Sequence, residues 1–120
     1  MTDINKDLLI LVVGDIGHWL STGRDLPRIA QTRFCDFEEL DSGLLKQLNP
    51  QIILSPLLGR GFDVLDLVAL LCTLGYDGRV RGMTPPLPNP ELIRGEVQRV
   101  CPELDFDIIE VRPGPILRSV

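Results

Sequence analysis

Leu8-Leu9-Ile10-Leu11-Val12-Val13 is apolar at every position. Successive side chains of a strand point to opposite faces, so a run without alternation needs cover on both sides, as an inner strand of a parallel sheet has. Downstream the chain alternates between the two periodicities: a helical pattern over 63–75, a strand over 79–84, a helical pattern over 89–101 and a strand over 105–111. This alternation predicts an α/β fold, a three-layer sandwich around a mostly parallel five-stranded sheet.

The remaining elements follow from local signals. Gly14-Asp15-Ile16-Gly17 breaks the first strand, and Gly23 and Pro27 keep the helical stretch over 18–22 short. Residues 28–35 alternate more and are predicted as a strand nearer the edge. Asp41 or Ser42 can cap a helix carrying Leu44, Leu45 and Leu48 inward, and Asn49-Pro50 stops it. The third strand is short, 51–54, and leads into Ser55-Pro56 and a loop over 57–61. Asp63 can cap the helix that follows, in which only Asp66, Ala69 and Thr73 are left to face water. That surface exceeds what one sheet face can cover. Pro85-Pro86-Leu87-Pro88 must be extended because each proline fixes its own φ and restricts its predecessor, so it reads as a rigid connector. Asn89-Pro90 supplies an N-cap and a first turn. Only nine residues follow the fifth strand, too few for a covering helix, so the first helix is expected to be short and the last missing.

At 120 residues the chain fits one domain over 1–120, long enough to bury roughly two-thirds of its unfolded surface. A net charge of -5 disfavours nucleic acid and acidic membrane surfaces as partners. The longest apolar run is six residues, too short for a signal-peptide core or a membrane span, so a cytoplasmic location is expected. Cys35, Cys72 and Cys101 are odd in number and widely spaced, which suits neither a disulfide framework nor a metal site. They are expected to be small core residues.

A parallel sheet places its chemistry at the C-terminal ends of its strands. Asp15, Ser55, Thr84 and Arg112 stand at such ends, and Arg60 lies in the loop beside them. Asp15, His18 and Ser55 have the composition of a hydrolase triad, but Pro56 has no N–H to give an oxyanion hole and there is no Gly-x-Ser-x-Gly. The turn at Gly14 has the look of a phosphate-binding loop, but it lacks a third glycine, and Asp15 would repel the anion. A small anionic ligand or nucleotide could still sit at this edge on Asp15, Ser55, Arg60, Thr84 and Arg112.

In order and spacing these strings resemble the receiver domain of bacterial response regulators over residues 8–113, a flavodoxin-like fold. The strand leading to Asp15 is similar to the family's first strand with its trailing acidic pair. Asn49-Pro50-Gln51-Ile52-Ile53-Leu54-Ser55 is similar to the stretch ending in the phosphorylated aspartate. Gly61-Phe62-Asp63-Val64-Leu65-Asp66 resembles the start of the third helix, Thr84 the switch threonine and Arg112-Pro113 the lysine-proline pair.

The departures from the family pattern decide the functional expectation. Gly14 stands where one of two magnesium-binding carboxylates is needed, leaving only Asp15. Ser55 replaces the acceptor, and an alcohol without a base is a poor nucleophile that cannot form an acyl phosphate. Arg112 keeps a charge but not the compact ammonium of a lysine. The resemblance therefore implies a degenerate pseudo-receiver site formed by Gly14, Asp15, Ser55, Thr84 and Arg112, with no catalysis, no cofactor and no metal. The expected role is non-catalytic protein binding or regulation, as a homodimer or with an obligate protein partner. The alternative is a small-ligand-binding α/β domain.

Overall fold

The structure is a computed structural model, and it describes residues 8–14, 31–59 and 61–111. Five parallel strands form the sheet: β1 (Leu9–Val13), β2 (Gln31–Cys35), β3 (Ile52–Pro56), β6 (Arg79–Thr84) and β7 (Asp105–Glu110). They lie in the order β2-β1-β3-β6-β7. Without the two short strands described below, this is the 2-1-3-4-5 order of flavodoxin-like folds. β1 is buried at every position and lies inside the sheet, as its unbroken apolarity requires, while the more polar β2 takes an edge. The short first helix and the missing last one fall on residues outside those described.

Among the described residues, three α-helices connect β2 to β3, the short strand β5 (Phe62–Asp63) to β6, and β6 to β7. In α1 (Ser42–Leu48) the Asp41 carboxylate accepts from the Leu44 N–H at 2.8 Å, and Asn49 ends the helix in the left-handed region at φ 49°. The first turn of α2 (Val64–Leu74) is closed from both sides. Asp63 accepts from the Asp66 N–H at 2.9 Å, and Asp66 accepts from the Asp63 N–H at 3.0 Å. Gly75, at φ 78°, terminates it. α3 (Pro90–Val100) begins with proline at a position where the missing N–H costs nothing.

All three helices pack on one face of the sheet. Leu11, Val13, Ile53 and Val80 meet Leu45, Leu67 and Leu71 there, and Phe106 and Ile108 join Val64, Val68 and Val97. The excess apolar surface expected on α2 is consumed within the chain, because α2 touches the sheet on one side and α3 on another. It gives no support to a dimer. On the opposite face Ile10, Val12 and Leu54 form a separate cluster, with Ile52 and Met83 against it and no residue of α1, α2 or α3 in it.

Two expectations are corrected. The segment after β3 is not a plain loop: β4 (Leu58–Gly59) pairs antiparallel with β5 (Phe62–Asp63), and Gly61 makes the turn at φ 77°. The cysteines are not all core residues. Cys72, exposed on α2, is joined in a disulfide to Cys101, the buried C-cap of α3, with Cα atoms 6.0 Å apart. Spacing alone argued against a bond, but the bond depends on how α2 and α3 lie beside each other.

Candidate functional site

The strand order reverses between β1 and β3, and in an open α/β sheet the ligand crevice opens beyond the C-terminal ends at that point. Gly14 follows β1 there. Its N–H donates to the Cys35 carbonyl at 2.9 Å, and its φ of 117° is one that side-chain-bearing residues avoid. A Cβ at this position would lie 3.1 Å from Cζ of Phe62 and 3.2 Å from Cδ of Pro56. Phe62 is buried and stacks on Phe37, with ring centroids 4.6 Å apart and planes 4° from parallel. Phe62, backed by Phe37, and Pro56 thus occupy the space beside Gly14.

Ser55 is 0% exposed and stands one residue before the end of β3, which extends past the expected limit of 54 to Pro56. Its hydroxyl donates to the Pro56 carbonyl at 2.9 Å, so the hydrogen bond it needs when buried is made locally. Ser55 pairs with Gly82 of β6, and Leu57 lies against Gly82 so closely that a Cβ there would come within 2.5 Å of Leu57 Cδ2. Thr84 ends β6 two residues farther on, on the same sheet face as Ser55 and 6% exposed, and its carbonyl accepts the Val111 N–H at 2.8 Å. The sheet therefore brings Gly14, Ser55 and Thr84 to one edge, each of them buried. Asp15, His18, Arg60 and Arg112 lie outside the described residues.

Sequence reasoning missed Phe62, Phe37 and Leu57, the side chains that fill this edge. A signal was present in Gly59 and Gly61, which flank one residue and precede Phe62, as a tight turn folding the aromatic back would require. A Cβ on Gly59 would collide with the Phe62 ring. The glycine is what lets the ring lie over the hairpin.

The face opposite α1, α2 and α3 has a different character. Register places Phe34, Ile10, Val12, Leu54, Arg81, Met83, Asp107 and Ile109 on it, and it carries two exposed apolar side chains at its margins: Phe34 on β2 at 47% and Ile109 on β7 at 41%. Met83 lies between Ile109 and the apolar centre, and a charged strip occupies β6 and β7 toward their N-terminal ends. Arg81 binds Asp105 at 3.2 Å and Arg79 lies 3.8 Å from the same carboxylate. Asp107 is held below the usual carboxylate range by the Ile108 N–H and then by Arg94 of α3, whose Nε donates to it at 2.8 Å.

Among the described residues, no three His, Cys, Asp or Glu side chains come together as a metal ion would need, and no helix is long and apolar enough to cross a membrane. Compared with known proteins, the chain matches no family model and no curated protein.

Proposed function

We propose that this chain is a non-catalytic protein-interaction module, a receiver-like scaffold that cannot be phosphorylated on aspartate. The observation that carries the reading is the packing at Gly14. Phe62 and Pro56 crowd the position a metal-binding carboxylate would take, and the alcohol at the acceptor position is buried and engaged with its own backbone. Among the described residues, this edge offers no free nucleophile and no carboxylate of a kind that holds a hard cation. The same packing weighs against a small anion at the β1–β3 reversal.

The working surface is the face opposite α1, α2 and α3, with a second copy of the chain as its partner. Phe34 and Ile109 flank an apolar centre, and the Arg79, Arg81 and Asp105 strip carries both signs of charge, a pattern able to complement itself in a two-fold dimer. A cytoplasmic setting and a partner that is protein, neither nucleic acid nor membrane, belong to this proposal, supported by the net charge of -5. Sedimentation velocity on the full chain at high micromolar concentration tests it. A dimer is expected, and Phe34→Asp should return it to monomer with unchanged circular dichroism. A monodisperse wild-type monomer that retains no protein from its native cell would refute the proposal.

A further inference from the structure

We propose that the Cys72–Cys101 bond is a reducible clamp that holds α3 on the domain, so that a dithiol reductant acting at Cys72 releases α3 and opens the apolar cluster beneath it. Three observations combine. Cys72 is exposed in the last turn of α2, whereas Cys101 is buried, so an attacking thiolate has access to one sulfur of the pair. The bond ties residues 29 apart in sequence and joins the end of α2 to the end of α3. α3 is otherwise thinly anchored. Of its eleven residues only Val97 is buried, Leu92 and Val100 are exposed, and its ion pair from Arg94 to Asp107 lies at the surface.

A helix with so little buried apolar surface belongs to the low-stability end of local opening, and a covalent tie to α2 removes much of the freedom it would gain. Beneath it lie Leu57, Val64 and Val68, with Phe106 and Ile108 packed against them. In a reducing compartment a bond of this kind is transient, which makes it a device for responding to redox state and not a permanent staple.

The exchange is a two-electron step. A thiolate of the reductant attacks Sγ of Cys72, the bond between the two cysteine sulfurs breaks, and Cys101 leaves as a thiolate that takes a proton. The second thiol of the reductant then displaces Cys72 from the mixed disulfide. The reductant ends as a disulfide and the protein as two thiols, having gained two electrons and two protons.

Hydrogen–deuterium exchange on the full chain tests this, with the air-oxidised form compared against one treated with dithiothreitol under native conditions and then alkylated with iodoacetamide. Alkylation is expected at Cys72 and Cys101, and exchange over 90–100 should rise about tenfold or more while β1 and β3 stay protected. Cys72→Ala changes an exposed position and should show the same loosened helix without reductant. Equal exchange of α3 in the oxidised and reduced forms would overturn the proposal. So would reduction that occurs only when β1 also exchanges, or an air-oxidised chain in which Cys72 and Cys101 both alkylate.

Discussion

Gly14 is the residue on which the character of the strand-end edge turns. Its φ of 117° disfavours a side chain, and a Cβ there would press tightly on Phe62 and Pro56. Gly14→Ala is therefore expected to destabilise the chain by about 1–3 kcal/mol in urea unfolding, chiefly through the strained backbone. Cys35 makes a second prediction. Burial first, then the carboxylates of Glu39 and Asp36, push its thiol up to about 11 from an ordinary 9.0. The folded pKa lies above the unfolded one, so the associated stability is full below about pH 9 and is lost as pH rises through about 11. Ellman's reagent at mildly alkaline pH should find no reactive thiol in the folded oxidised chain and one after denaturation. Sequence showed that Gly14 cannot be an acid and Ser55 cannot be an acyl-phosphate acceptor. It could not show that the space around Gly14 is filled, because Phe62 reaches it only through the hairpin turn at Gly61.

At the scale of elements, what was legible followed from local chemistry. Asp41 and Asp63 cap their helices as their positions suggested, and Gly75 and Asn49 end them. Asp63→Ala, which removes one half of a reciprocal cap, is expected to cost about 1 kcal/mol by thermal or urea unfolding, with the sheet intact. What was illegible depends on contacts between elements. The apolar excess of α2 suggested a missing partner chain, whereas α3 covers it. The disulfide escaped for the same reason, since Cys72 and Cys101 meet only once two crossovers have laid α2 and α3 side by side. The β4–β5 hairpin was hidden because each of its strands has only two residues, too few to show a period.

For the whole molecule, the fold class was the most legible feature, because an all-apolar β1 admits only an inner position in a parallel sheet. Among the described residues the three helices lie on one face, and the opposite face has its own apolar cluster with Phe34 and Ile109 exposed at its margins. If that face is the interaction surface, Ile109→Asp should weaken self-association about as much as Phe34→Asp, although the two residues lie on opposite edge strands. Leu58→Asp, an equally apolar and more exposed position in the β4–β5 hairpin, should leave it unchanged. The same sedimentation experiment reads all three.

The claim that the strand-end edge is closed to receiver chemistry is tested most directly by following the backbone amides of Gly14, Ser55 and Thr84 by nuclear magnetic resonance as magnesium and acetyl phosphate are added. The expected result is no shift at these amides and no acid-labile phosphoryl adduct by intact mass. Saturable magnesium-dependent shifts at Gly14 and Ser55, or an adduct at this edge, would contradict the account.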